Sequence, residues 1–444
     1  MDRQIAMLHG RVITGMADPL FYEDGYIRIH GDTIVEIGPI AEYRPQAGEC
    51  TEDLRGRMVA PGMISTHCHF YGQFARGMPL SRPMANWQQV LSRMWWELDR
   101  ALDEEALYYS AVMGLIEGLK SGTTTYFDHN ASPNWIDGSL DVIRKAVEEA
   151  GARAVLAYEV TDRNGKEGAL AGIRENERMI RRCQREGDDR FQALLGLHAS
   201  YTLEEDTLER CRAVQQDLQV GCHIHMAEAA ADVSDCYRRF DTHVVDRLAG
   251  WGLLDDKSIT AHTVHVGSEQ WEVMKQLGIT AAHNVQSNTN NAVGICPVCD
   301  MLDHGVHVAV GGDGYTYDLF TELGFASIVQ RLAAHSPAAF SQAHLLALGF
   351  GNPRRLMQKT FGYDCGVLSP GAKADLIVLS YDPPTPVTAG NALSHLLAGA
   401  PGHVDTVLVG GQTVVKEGRC TLLDEERLLA RCREAAGRLW SRLP

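Results

Sequence analysis

The residues in this chain best suited to chemistry are a spaced series of histidines and two carboxylates. The first pair lies in Pro61–Gly62–Met63–Ile64–Ser65–Thr66–His67–Cys68–His69, where an apolar run from Met58 leads into two histidines two positions apart. Residues at that spacing on a strand point to the same side, so His67 and His69 can grip one metal ion together. Zinc and similar divalent metals take imidazole nitrogen at about 2.0–2.1 Å. Further on, His223–Ile224–His225–Met226–Ala227–Glu228 offers a third imidazole, His225, with the carboxylate Glu228 three residues later. A carboxylate beside a metal can carry protons between water and a leaving group. Ala261–His262–Thr263–Val264–His265 supplies His262, the histidine nearer its strand end. In Val310–Gly311–Gly312–Asp313–Gly314 the glycines allow a tight turn and close backbone approach, and Asp313 can serve as ligand and base. Taken singly, each has a plainer reading as a hydrogen-bonded core histidine or a solvated loop carboxylate.

These residues need a scaffold that gathers them. Residues 58–365 alternate strand-like and helix-like runs. The strand-like runs are Thr123–Asp128, Arg153–Tyr158, Phe191–His198, Gly221–His225, Ser258–His262, Ile279–His283 and Val306–Gly311. With the run into His69 they make eight β/α units, which predicts an α/β fold with a closed parallel (β/α)8 barrel. A doubly wound open sheet is the alternative, but no Gly-x-Gly-x-x-Gly follows an early strand. Six strands end at His69, Asp128, His198, His225, His262 or His283, and Asp313 follows the last. Active sites of such barrels sit at that end.

Residues 1–57 read as short strands around the Gly31–Asp32 turn. Ala374–Leu379, Val404–Val409 and Thr413–Lys416 answer them at the far end. The expectation is a small β-sandwich built from residues 1–57 and 366–444, with the barrel inserted between. Asp424–Cys432 has helical spacing and a charged face, and is expected to pack on the barrel or on a second subunit.

The formal net charge of −16 over 444 residues argues against nucleic acid and anionic membrane as partners, since both need basic surface. No apolar run reaches the roughly 18 residues of a membrane span. Met1–Gln4 lacks the basic and apolar parts of a signal peptide. The eleven cysteines are scattered, which suggests reduced thiols and a cytoplasmic location. Cys296–Pro297–Val298–Cys299 is a lone CxxC, read as a loop with two thiols.

Together these residues resemble the metal-dependent amidohydrolase superfamily, in the aminohydrolase branch of cytosine, guanine and adenosine-type deaminases and triazine hydrolases. The matching residues are Pro61–Gly62–x–Ile64–x–x–His67–x–His69, His225–x–x–Glu228, Ala261–His262, His283–Asn284–x–x–Ser287–Asn288 and Asp313–Gly314. Within that branch the chain is similar to the SsnA-type aminohydrolases. The residues are His69–Phe70–Tyr71–Gly72–Gln73–Phe74–Ala75–Arg76–Gly77–Met78, Asp128–His129–Asn130 and Tyr158–Glu159–Val160–Thr161–Asp162–Arg163. Two departures stand out: Val285 replaces a proline common in the family, and Gly312 a threonine.

The resemblance implies one divalent ion, zinc in preference to iron, held by His67, His69, His225 and Asp313. The fourth strand, Phe191–His198, has no lysine of the kind that two-metal members carboxylate. It implies hydrolytic deamination of a purine-, pterin- or pyrimidine-like ring, with Asp313 as base, Glu228 as proton donor and His262 orienting a metal-activated hydroxide. Arg76, Arg163, His198, His283, Gln286 and Asn288 are the candidate substrate contacts, the arginines because a planar fork suits carbonyl or carboxylate oxygens. Trp87, Trp95 and Trp96 are expected to pack a helix into the core rather than wall the pocket. The alternatives are loss of chloride or alkylamine from a triazine, opening of a cyclic amide, and a non-catalytic binding relative. Membership also implies a homodimer or higher homo-oligomer.

Overall fold

The computed structural model describes residues 4–80 and 82–443. Eight parallel strands form the expected barrel. They are β1 (Met63–Cys68), β2 (Thr123–Asn130), β3 (Arg153–Tyr158), β4 (Phe191–Ala193 and Leu195–Ala199), β5 (Cys222–Met226), β6 (Ile259–His262), β7 (Thr280–His283) and β8 (His307–Val310). Ladder pairing runs from β1 to the first half of β4, and from its second half to β8. Isolated bridges close the ring. Val160 N donates to Gly196 O and His198 N to Val160 O, at 3.2 and 2.9 Å; Gly312 N and Asp313 N both reach His67 O at 3.0 Å. Alternate strand residues, among them Ile64, Phe127, Val155, Ala157, Ile259 and Ala261, share one buried cluster inside the ring with Leu356 and Met357 of the helix Asn352–Phe361. Asn352 Nδ2 donates to Val308 O at 2.8 Å, so this helix plugs the end where the strands begin. The opposite mouth is left for chemistry.

The apolar run into His67 is not one strand. Met58–Pro61 pairs with Gln4–Ile13 and Leu376–Leu379 in the terminal sheet, and Met63–Cys68 pairs with β2 in the barrel. The change of sheet falls at Gly62, where a Cβ would stand 2.4 Å from Thr124 Cγ2. Residues 58–61 thus lie outside the barrel in which the sequence reading placed them. Strands from both termini hydrogen-bond into one continuous nine-stranded sheet. Met7, Val12, Ile27, Ile29, Leu376 and Leu408 share its apolar core. The last helix, Glu425–Trp440, lies on the barrel: Trp440 Nε1 donates to Phe74 O at 2.8 Å and Cys432 Sγ to Tyr109 O at 3.2 Å. Among the described residues no helix is long and apolar enough to cross a membrane.

One buried ion pair couples the two parts. Arg153, at the start of β3, forks onto Asp375 through Nε–Oδ2 and Nη2–Oδ1 at 3.0 and 3.1 Å, and both residues are buried. Gly410 N also donates to Asp375, at 2.6 Å. Asp375→Ala leaves the guanidinium buried without its counter-charge, a loss of about 3–5 kcal/mol for such pairs. Denaturant unfolding is expected to show that loss, and a smaller one for the paired change Arg153→Met with Asp375→Leu.

Candidate active site

The mouth of the barrel collects His67 and His69 from the end of β1, His225 from β5 and Asp313 just past β8, all buried. Two backbone carbonyls set the imidazole tautomers. His69 Nδ1 donates to His129 O at 2.6 Å and His225 Nδ1 to His198 O at 3.0 Å. Each ring therefore aims Nε2 into the site, and these two atoms stand 3.2 Å apart. Two such lone pairs repel unless a cation lies between them. Asp313 Oδ1 is 3.1 Å from His69 Nε2 and 3.7 Å from His67 Nε2. His67 Nε2 itself is buried with no hydrogen-bond partner. Four ligands at about 2.0–2.1 Å around one ion would be roughly 3.3–3.4 Å from each other, so the residues fit a metal ion. Ligating histidines typically donate their other ring N–H to a carbonyl, as two of these do.

Electrostatics agree. Burial keeps His67 and His225 neutral, well below the ordinary imidazole range. Burial also opposes charge on His69, but the hydrogen bond and charge of Asp313 outweigh it and raise its pKa to about 9. Without a metal, a proton on His69 meets the demand for positive charge. Burial pushes the Asp313 carboxyl up, yet His69 and His262 hold it well below its usual range.

Beside this set lie His262 and Glu228. His262 Nδ1 donates to Asn288 Oδ1 at 2.9 Å. Its Nε2 stands 3.9 Å from both Glu228 Oε2 and Asp313 Oδ2. Burial raises the Glu228 carboxyl well above its usual range, with the charges of Asp313 and Asp232 adding to it, and Glu228 Oε1 has no partner. His262 and Asp313 hold left-handed backbone, φ 75° and 56°, a strain of order 1–3 kcal/mol that clusters at functional sites. Gly311 and Gly312 let the chain pass there: a Cβ would lie 2.4 Å from Asn284 Oδ1 at the first and 1.8 Å from Thr316 O at the second. The threonine common at that second position has no room in this arrangement.

A cavity of about 520 Å³ opens above these groups, lined by Tyr71, Trp87, Trp95, Trp96 and Tyr201 among others. The tryptophans expected to be core packing thus wall the pocket, although Trp95 is also buried. His198 and Arg163 line it as well. Other candidate contacts do not. Arg76 is half exposed and forks onto Glu117 at 2.7 and 3.1 Å. Gln286 Nε2 is taken by Glu322 Oε2 at 2.6 Å. His283 is buried with both ring nitrogens unpartnered, outside the lining. Asn288 acts on His262 and does not face the cavity.

Spacing alone assigns no site role to His129, His223, Glu159 or Asp99. His223 Nε2 is 2.8 Å from His67 Nδ1, and the His129 ring stacks on His223 with centroids 4.4 Å apart. Glu159 Oε1 lies 3.5 Å from His69 Nδ1 and 3.6 Å from His129 Nδ1. Period-2 alternation held the signal: His129 is two residues beyond Phe127, and His223 two before His225. Asp128, expected at a strand end, instead accepts from Phe70 N at 2.8 Å and anchors the turn after His69. Cys68 turns toward Phe127 O at 3.6 Å, away from the ligands that flank it.

The amidohydrolase family model matches residues 58–414. A 5'-deoxyadenosine deaminase of Methanothermobacter thermautotrophicus is 30% identical over 437 residues, 96% of this chain and 98% of that protein. A 5-methylthioadenosine/S-adenosylhomocysteine deaminase of Carboxydothermus hydrogenoformans is 30% identical over 407 residues, covering 90% and 91% of the two chains. Among solved structures, a zinc-bound adenosine deaminase of Xanthomonas campestris superposes with TM-score 0.86 at 22% identity, over 99% of each chain. A zinc complex of atrazine chlorohydrolase from Arthrobacter aurescens gives 0.83 at 22%, over 97% of this chain and 100% of that one. With a family model spanning most of its length and such relatives end to end, the chain belongs to the amidohydrolase family and is a hydrolase of carbon–nitrogen bonds.

Proposed function

We propose that the chain is a metal-dependent aminohydrolase that removes ammonia from an amino-substituted nitrogen heterocycle of purine, pterin or pyrimidine type. His67, His69, His225 and Asp313 hold one divalent ion, zinc in preference to iron. The observation that carries this reading is the convergence of His262 Nε2, Glu228 Oε2 and Asp313 Oδ2 beside that ligand set, on the floor of an aromatic cavity. Relatives named as deaminases of 5'-deoxyadenosine and methylthioadenosine support it.

A bound divalent ion supplies Lewis acidity, which lowers the pKa of a water from 15.7 to about 7. The protein does the rest. Asp313 takes a proton at Oδ2 as water adds to the ring carbon bearing the amine. His262, neutral and held by Asn288, accepts a hydrogen bond at Nε2 and orients that water. Glu228 enters protonated and gives its proton to the adjacent ring nitrogen. It recovers one from the added hydroxyl as the carbonyl forms. Asp313 returns its proton to the amine, which leaves as ammonia. Each proton transfer by a placed side chain is typically worth roughly 10²–10⁴-fold.

A cytoplasmic setting draws support from the eleven free thiols. A homo-oligomer draws support from Phe325, Ile328 and Leu332, exposed by 45%, 64% and 67% in a row on the helix Leu319–Ala333.

Metal analysis of purified protein is expected to give one ion per chain, and chelation to abolish ammonia release until zinc is restored. His225→Ala is expected to lose both metal and turnover. Glu228→Gln is expected to keep the metal and lower kcat by about 10²–10⁴-fold; retention of kcat would remove Glu228 from the proton path.

A further inference from the structure

Each ligating imidazole must carry its ring proton on Nδ1, so that the Nε2 lone pair faces the ion. For His69 and His225 that proton goes to a backbone carbonyl, of His129 and His198, at 2.6 and 3.0 Å. For His67 the atom facing Nδ1 is a side-chain nitrogen instead, His223 Nε2, at 2.8 Å. The support of the third ligand is therefore a residue that substitution can remove.

A hydrogen bond between two neutral imidazoles holds one proton, and its position decides what His67 can do. If His223 Nε2 donates, His67 carries its own proton on Nε2 and cannot ligate. If His67 Nδ1 donates, Nε2 is left with its lone pair, and the His223 proton moves to Nδ1. Each order leaves one buried N–H without an acceptor, at His67 Nε2 or at His223 Nδ1. Only the second order gives a metal ligand, so ion uptake selects it.

His223 is held where it can do this. It lies within β5, paired to Gly196 of β4 and Ile259 of β6. It stands two positions before the ligand His225, on the same side of the strand. Its buried ring lies flat on that of His129, with centroids 4.4 Å apart and planes 8° from parallel. His129 also supplies the carbonyl for His69, so one residue of β2 braces two of the three ligating rings.

We infer that His223 is a positioning residue for the metal centre, accepting the Nδ1 proton of His67 and so fixing the tautomer and direction of that ring. This rests on the one-metal reading above. A partner of this kind also makes the ligand a better electron donor, and its loss typically costs 10–100-fold in metal affinity or activity.

The test measures zinc affinity of the full chain by competition with a chromophoric chelator. His223→Phe keeps a flat ring for His129 to stack on but has no acceptor. His223→Gln loses the ring but brings an amide oxygen that can accept from His67. The Phe variant is expected to bind zinc about 10–100-fold more weakly, and the Gln variant to stay close to the unaltered chain. The reverse order would make His223 a packing residue and overturn the proposal. Equal affinity in all three chains, or equal weakening in both variants, would overturn it too. A second measurement needs no folded variant: nitrogen-15 NMR of labelled histidines in the zinc-loaded chain is expected to show His223 protonated at Nδ1 and bare at Nε2. The opposite tautomer would overturn the proposal. Zinc affinities in the expected order, with no ammonia from any ring, would support this role for His223 and sink the deaminase reading instead. An unaltered chain that takes up no divalent ion would overturn both.

Discussion

Two imidazole nitrogens, His69 Nε2 and His225 Nε2, are held 3.2 Å apart in a buried space. That arrangement is unfavourable without positive charge between them, and much of the barrel mouth enforces it. Backbone carbonyls of His129 and His198 take the opposite ring protons, which removes the option of turning a donor inward. Asp313 completes the demand with a carboxylate oxygen at 3.1 Å. Low polarisability of the surroundings strengthens each of these terms. A cation, whether proton or metal, is the response.

Holding that geometry takes rigid supports on every side. His67, His69 and Asp313 meet across the seam where the barrel closes, through Gly312 N, Asp313 N and His67 O. The seam needs glycine at 311 and 312, because backbone and Asn284 occupy the space of a side chain. Below it, the apolar cluster of Ile64, Phe127, Val155 and Ile259 fills the ring. Outside it, the terminal sheet is tied on by Arg153 and Asp375, and Trp440 of the last helix reaches the turn that carries Phe74. The terminal elements therefore brace the site without contributing a ligand.

The chemistry divides along the cavity. At the floor, burial keeps His262 neutral and Glu228 protonated, which is the pairing of acceptor and donor that hydrolysis of an aminated ring requires. Along the wall, Trp95, Trp96 and Tyr71 supply flat apolar surface, and Arg163 with Asp99 supplies a compensated polar patch. Floor and wall come from different β/α units, so recognition can vary while the floor stays constant.

Much of the site was legible from spacing. His67 and His69 are neighbours on one strand, and His225, His262 and Asp313 each stand at or just past a strand end, where barrel geometry delivers side chains to one mouth. The eight-unit alternation carried the fold for the same reason: hydrophobic periodicity is local. The break at Gly62 was not legible, because Met58–Ile64 is uniformly apolar and only pairing partners reveal two sheets. Nor was the pocket. Arg76 and Arg163 are alike as residues, and what separates them is the partner each meets: Glu117 at a partly exposed position, Asp99 under Trp96. The sequence by itself determined which groups could bind a metal and move protons. Only the tertiary structure decided which of them face one another, because contacts between side chains hundreds of positions apart depend on the packing of the whole barrel and not on local pattern.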